Sequence, residues 1–146
     1  MAYFPFFMDV SAGDGLIVGG GRVALRKIRK LLDFGARLTV CAPSILPEIE
    51  AIPGLTLLRR PFEPSLLEGK LFVISAANDN SLNCQISTLC RERGIPVNVV
   101  DDRENCTFLF PALVKRGALS VGISTGGASP SAAVYWKNRI SSLIPQ

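Results

Sequence analysis

Leu16-Ile17-Val18-Gly19-Gly20-Gly21-Arg22-Val23-Ala24 is the stretch on which the fold turns. Three apolar residues read as a short buried strand that runs into three glycines. Val23–Phe34 then reads as a helix, with Val23, Ile28, Leu31 and Leu32 on its apolar side. Arg22, Arg26, Lys27, Arg29 and Lys30 make the polar side, and Gly35 is a natural terminator. Gly19-x-Gly21-x-x-Ala24 therefore sits between a strand and a helix, the context a dinucleotide fingerprint requires. Gly19 permits the tight turn, Gly21 lets backbone approach a pyrophosphate, and Ala24 allows close helix–strand packing. A helix N-terminus meets phosphates with free N–H groups and partial positive charge. Arg22 stands at that terminus and can add a phosphate contact. The competing reading is an ordinary glycine-rich turn; the flanking strand and helix and a second strand at the right distance favour a cofactor.

Outward from this turn the chain alternates short apolar runs with amphipathic stretches, the pattern of an α/β sheet. Arg37–Cys41, Leu55–Leu58, Leu71–Ala76 and Pro96–Val100 read as further strands. Leu71–Ala76 is apolar on both faces, as a central parallel strand would be. A short helix is expected after Pro43-Ser44, with Ser44 as cap and Pro47-Glu48 in its first turn. Ser81–Arg93 reads as a helix capped by Asn80 or Ser81 and ended by Gly94. The last quarter differs. Phe108–Val114 and Leu119–Ser124 read as a hairpin around Lys115-Arg116-Gly117-Ala118. The loop Thr125–Pro130 and a helix Ser131–Leu143 follow, with Tyr135, Trp136 and Ile140 available for packing. The expected organisation is a doubly wound, Rossmann-like parallel sheet over residues 1–112. A hairpin-plus-helix dimerisation segment covers 113–146.

The chain has 146 residues, 48% of them apolar and 19% charged, too apolar for disorder. Such a length buries roughly two-thirds of its unfolded surface. No run of about 18 apolar residues offers a membrane span. The N-terminus lacks a basic start, and Asp9 breaks its apolar stretch, so no signal peptide is expected. Cys41, Cys84, Cys90 and Cys106 form no C-x-x-C pair, which fits reduced thiols in a cytoplasmic protein and no metal site. There is no histidine. That excludes Ser-His-Asp and Cys-His catalysis and histidine-ligated metals. The net charge of +4 suits an anionic small ligand, and no nucleic-acid recognition motif accompanies it.

In open α/β sheets, ligands bind beyond the carboxyl ends of the strands. Asn98-Val99-Val100-Asp101-Asp102 puts two carboxylates there, and without histidine a carboxylate is the natural acid–base group. The alternative is that Asp101 or Asp102 caps a turn. Asn78, after the fourth strand, is a candidate cofactor contact, with helix capping by this segment as the plainer reading. The end of the second strand reads Val40-Cys41-Ala42-Pro43-Ser44. It offers neither a carboxylate for a ribose diol nor an Arg for a 2′-phosphate, so Ser44 and backbone groups are left to serve the ribose. The loop Ser124–Pro130 is open between an anion site and a hinge.

Taken together these segments resemble the N-terminal module of siroheme synthases and the free-standing precorrin-2 dehydrogenases. The resemblance rests on Tyr3-Phe4-Pro5-Phe6-Phe7, the glycine turn through Arg26-Lys27, and Gly35-Ala36-Arg37-Leu38-Thr39-Val40. Further matches are Ala76-Ala77-Asn78-Asp79, Val97-Asn98-Val99-Val100-Asp101 through Phe108 and Pro111, and Ser124-Thr125-Gly126-Gly127-Ala128-Ser129-Pro130. It implies NAD-dependent oxidation of precorrin-2 to sirohydrochlorin; some members also insert Fe²⁺ or Co²⁺. It implies Asp101 as the catalytic base, cofactor contacts at Gly19, Gly20, Gly21, Arg22, Val23, Pro43 and Ser44, and a homodimer. The family often has an acidic residue where Arg22 stands. Longer members continue into a helical module that this chain is expected to lack. Two other readings stay open: a module that binds a dinucleotide or tetrapyrrole without turnover, and a chelatase without dehydrogenase activity. Tight binding with no absorbance change favours the first, and metal insertion without NAD affinity the second.

Overall fold

Leu16, Ile17, Val40, Val73, Ile74 and Val97 are fully shielded from solvent. They come from four strands covered on both faces, which is why those strands read as unbroken apolar runs. The computed structural model of the chain describes residues 2–146. These form two compact units, Phe6–Thr107 and residues 2–5 with 108–146.

The first unit holds β1 (Asp14–Val18), α1 (Arg22–Leu32), β2 (Arg37–Cys41), α2 (Pro47–Glu50), β3 (Thr56–Leu58), β4 (Lys70–Ser75), α3 (Asn80–Glu92) and β5 (Val97–Val99). Its five strands are all parallel, in the order β3-β2-β1-β4-β5. The chain starts in the middle, winds outward to β3, returns beside β1 as β4 and winds the other way. Crossovers are right-handed, so this reversal moves the covering helices to the opposite face. That is the expected doubly wound, Rossmann-like sheet. Its reversal point lies between β1 and β4.

Helix α1 buries Ala24, Leu25, Ile28 and Leu31. This stripe is rotated from the expected one, leaving Val23 and Leu32 half-buried. Gly35 ends α1 in a left-handed turn at φ +77°, with Ala36 N–H donating to Leu31 at 3.3 Å. Gly94 does the same for α3 at φ +68°.

Three local expectations in this unit need correction. Ser44 does not cap α2, which starts at Pro47 after Leu46 with no side-chain cap. The α3 cap is Asp79, not Asn80 or Ser81: its Oδ1 accepts from Leu82 N–H at 3.1 Å. β5 is shorter than expected, although Pro96 and Val100 still pair with β4. Val73 N–H donates to the Pro96 carbonyl at 2.9 Å and Val100 N–H to that of Ser75 at 3.0 Å.

The second unit pairs β6 (Ala112–Arg116) with β7 (Leu119–Ile123), antiparallel, around a two-residue turn at Gly117-Ala118, followed by α4 (Pro130–Leu143); the expected hairpin is corrected here, since residues 108–111 lie outside β6 while Lys115 and Arg116 pair within it. Ser129 caps α4, accepting from Ala132 N–H at 3.2 Å. Val114 and Ala133 are its buried apolar side chains. Tyr135 and Trp136 stack edge to face at 5.4 Å, yet both are exposed, as are Val134 and Leu143. Among the described residues no helix is long and apolar enough to cross a membrane.

Candidate active site

Four loops leave the sheet at one level. Gly19 N–H donates to the Cys41 carbonyl at 2.9 Å, Ala42 to Leu58 at 3.1 Å, Ala76 to Val18 at 2.7 Å and Val100 to Ser75 at 3.0 Å. Each bond extends the parallel ladder one residue past its strand, so the loops begin side by side. The glycine turn, Pro43-Ser44, Asn78 and Asp101 are thereby brought to one carboxyl edge.

In the turn the three glycines do different work. Gly19 has φ +130°, and a Cβ there would stand 2.6 Å from the Ala76 carbonyl oxygen. On Gly20 a Cβ would run into the Ser44 carbonyl oxygen, because Leu46 N–H ties the two loops by donating to the Gly20 carbonyl at 2.9 Å. Close approach to neighbouring loops therefore demands both. Gly21 is another case: a Cβ there would meet nothing within 4 Å. Its backbone, at φ −95° and ψ −165°, suits any residue, and it precedes α1 with no side-chain cap. Packing does not require this glycine. A ligand lying against the backbone and the uncapped α1 N–H groups would. Ala24, 1% exposed, lets α1 pack tightly behind the turn. The groups present thus fit a dinucleotide diphosphate.

Arg22 opens α1 beside the turn. Its exposed guanidinium reaches Glu48 on α2 at 3.3 Å. Pro43 and Ser44 lie exposed beside it at the end of β2, and Val23 is half-buried in the first turn of α1. Asn78 is exposed in the loop after β4. That loop is braced from beneath: buried Ser75 Oγ donates to Asn83 Oδ1 at 2.6 Å, and Asn83 Nδ2 donates to the Ala77 carbonyl at 2.9 Å.

Asp101 and Asp102 have different tasks. Asp102 N–H donates to the Val99 carbonyl at 3.2 Å, and its Oδ2 accepts from Asn105 Nδ2 at 2.6 Å. Asp102 is thus tied into the turn by its backbone and by Asn105, and its side chain caps no backbone N–H. Asp101 is the only non-glycine residue at positive φ, +59°, among the described residues. It holds the third position of the 99–102 turn, where such a φ ordinarily calls for glycine or asparagine. A left-handed aspartate costs on the order of 1 kcal/mol, and such strain gathers at functional sites. The turn presents an exposed carboxylate at the sheet edge.

Two neighbours of Asp101 are not singled out as site residues by the sequence pattern. Lys27 is the half-buried cation of α1. Burial pushes its pKa down and nearby Lys30 adds to that, while the charges of Asp101 and Cys106 pull it back up. Its position three residues after Ala24 and one before Ile28, flanking the buried stripe, was the available signal. Cys106 is buried under the turn, and burial above all raises its thiol pKa. It is a poor nucleophile at neutral pH. The loop Ser124–Pro130, in the second unit, is closed on itself: Thr125 Oγ1 donates to the Ser129 carbonyl at 3.1 Å and accepts from Ser129 N–H at 2.9 Å.

Comparison with known proteins agrees with this geometry. Residues 6–112 match a family described as "Putative NAD(P)-binding". The solved structure of SirC, a precorrin-2 dehydrogenase, superposes with a TM-score of 0.76 at 31% identity, covering 98% of this chain and 72% of SirC. The chain belongs to the precorrin-2 dehydrogenase family. Within this family it also resembles siroheme synthases. That of Thioalkalivibrio sulfidiphilus is 43% identical over 148 residues, 99% of this chain and 30% of its own length. That of Methylococcus capsulatus is 44% identical over 149 residues, 99% and 31%. The chain thus spans about three-tenths of those longer relatives.

Proposed function

We propose that this chain oxidises precorrin-2 to sirohydrochlorin with NAD⁺, in siroheme biosynthesis. The observation that carries the reading is the shared carboxyl edge, where an uncapped glycine turn and a left-handed aspartate leave the same end of the parallel sheet. Membership of the precorrin-2 dehydrogenase family supplies the substrate class.

The diphosphate would rest on Gly19–Gly21 and the first N–H groups of α1, with Val23 in its first turn. Pro43 and Ser44 would border the ribose, and Asn78 the opposite side of the crevice. Bound there, the nicotinamide ring supplies the hydride acceptor. NAD⁺ is taken over NADP⁺ because the segment that ends β2, residues 40–44, carries no Arg or Lys of its own for a 2′-phosphate. Asp101 acts as the base. Two hydrogens leave precorrin-2, one as hydride, and the Asp101 carboxylate takes the other as a proton. The substrate carries eight carboxylates, so a cation beside the base helps to hold it, and Lys27 is that cation.

We take the working assembly to be a homodimer. Exposed Val134, Tyr135, Trp136 and Leu143 on α4 support this, since such a patch is covered in most proteins. Light scattering of Trp136→Glu beside the unsubstituted chain tests it; a monomer in both samples contradicts it.

The decisive assay is anaerobic absorbance with precorrin-2, offering NAD⁺ and NADP⁺ separately. The sirohydrochlorin spectrum is expected with NAD⁺. Folded protein that leaves precorrin-2 unchanged with both cofactors overturns the reading, and added Fe²⁺ in the same cuvette reports any chelation.

A further inference from the structure

The Cys106 sulfur touches both ends of the four-residue turn that carries Asp101. It accepts from Val99 N–H at 3.1 Å, and two carbonyls converge on it, Val99 and Asp102, each at 3.2 Å. Asn98 Nδ2 approaches the same sulfur at 3.6 Å. Val99 and Asp102 are the first and last residues of the turn, and one 3.2 Å backbone bond otherwise closes it. The sulfur is itself firmly anchored. Cys106 N–H donates to the Arg103 carbonyl at 3.1 Å. The next residue is zipped onto β5, Thr107 N–H to the Val97 carbonyl at 2.8 Å and Val97 N–H to Thr107 Oγ1 at 2.9 Å.

We propose that Cys106 is a positioning residue, whose protonated thiol clasps the 99–102 turn shut and so holds Asp101 in its left-handed conformation. This rests on the reading of Asp101 as the base. Two converging carbonyls need a donor between them, so the clasp works only as S–H. Burial raises the thiol pKa and keeps it in that form. Alanine would leave Val99 N–H and both carbonyls without the sulfur. Serine restores a group that both donates and accepts. The turn has an intrinsic reason to open, because a left-handed aspartate relaxes when released.

The experiment compares Cys106→Ala and Cys106→Ser with the unsubstituted chain by steady-state kinetics and by amide hydrogen exchange. In Cys106→Ala, kcat is expected to fall about tenfold or more through misplacement of the carboxylate. The KM for NAD⁺ should stay within about twofold, because the glycine turn is untouched. Cys106→Ser should recover most of kcat. Exchange at Asp102 N–H should accelerate in Cys106→Ala and return toward normal in Cys106→Ser, with the β1 and β4 amides unchanged. Unaltered Asp102 exchange overturns the proposal, whether or not the chain oxidises precorrin-2. So does a Cys106→Ala enzyme with normal kcat, or a loss confined to KM. Should Cys106→Ala not fold, a Cys106→Ser protein with less than a tenth of normal kcat and normal Asp102 exchange also overturns it. An unsubstituted chain that exchanges as expected yet leaves precorrin-2 untouched counts against the functional reading alone.

Discussion

Gly19 lies so close to Ala76 that a Cβ built on it would stand 2.6 Å from the Ala76 carbonyl oxygen. These residues directly follow β1 and β4, the strands between which the winding reverses. At such a point the loops diverge to opposite faces and leave a crevice between them. The narrowness of the pair and the openness beyond it have one cause. Backbone from β1 must pass beside β4 before turning into α1, and only a residue without a side chain can do so at φ +130°.

Gly19→Ala and Gly21→Ala should therefore fail in different ways. At Gly19 a methyl group meets a carbonyl and an unfavourable φ, and the expected loss is at least about 2 kcal/mol. At Gly21 the backbone is ordinary and the space empty, so stability should change by less than about 1 kcal/mol. Dinucleotide affinity should nevertheless fall about tenfold or more, because the methyl group occupies the ligand's path. Urea denaturation and calorimetric titration with NAD⁺ separate the two. Equal destabilisation by both would contradict the division of labour.

The two acids of the next loop allow a second contrast. Asp101→Asn should abolish precorrin-2 oxidation with the fold retained. Asp101→Gly should also be inactive, yet more stable by about 1 kcal/mol, since glycine takes φ +59° without strain. Asp102→Ala should do the reverse. It loses the bond from Asn105 and about 1 kcal/mol of stability, while keeping most of the turnover. Turnover by Asp101→Asn at the normal rate would remove Asp101 from the mechanism.

Asn83 supports a third prediction. It lies buried in α3 and spans Ser75 and Ala77, the residues on either side of Ala76. Asn83→Ala leaves a buried hydroxyl and a loop carbonyl without their partner, at a cost of about 2 kcal/mol. The 76–78 loop then loosens, and NAD⁺ should bind several-fold more weakly. Thermal melts with and without NAD⁺ measure both effects; a normal ligand-induced shift would show that the loop needs no brace.

Much of this architecture was legible in the residues. The apolar runs marked every strand of the parallel sheet, and Gly35 and Gly94 marked the helix ends, because burial and left-handed caps leave strong signatures in residue type. The misses share a different origin. Asn78-Asp79-Asn80-Ser81 offers four capping residues in a row, and only the point at which the β4 ladder ends selects Asp79. Ser44 had the look of a cap, but its backbone is pressed against Gly20. Lys27 was one of five cations on α1, and periodicity does not tell which of them faces a loop some 75 residues later. The left-handed turn at Asp101 was hidden because the residue there is not glycine, and Cys106 because a thiol's backbone partners depend on loop closure.

The buried thiols predict how stability responds to alkaline pH. Burial pushes Cys90 up to about 11, and it raises Cys41 and Cys106 as well. In the unfolded chain a thiol of this kind ionises near 9. Between these values the unfolded state releases a proton that the native state keeps, so stability must fall as pH rises. The contribution of Cys90 is intact below pH 9 and lost through about pH 11. Its slope approaches about 1.4 kcal/mol per pH unit, and on the order of 2–3 kcal/mol is lost across the window. Cys90→Ala should be less stable at pH 7, through the cavity it leaves, but should lose less on going from pH 8 to about pH 11. Urea unfolding at a series of pH values, in the presence of a reductant, measures the slope directly. Parallel pH profiles for Cys90→Ala and the unsubstituted chain would mean that the thiol ionises equally readily in both states.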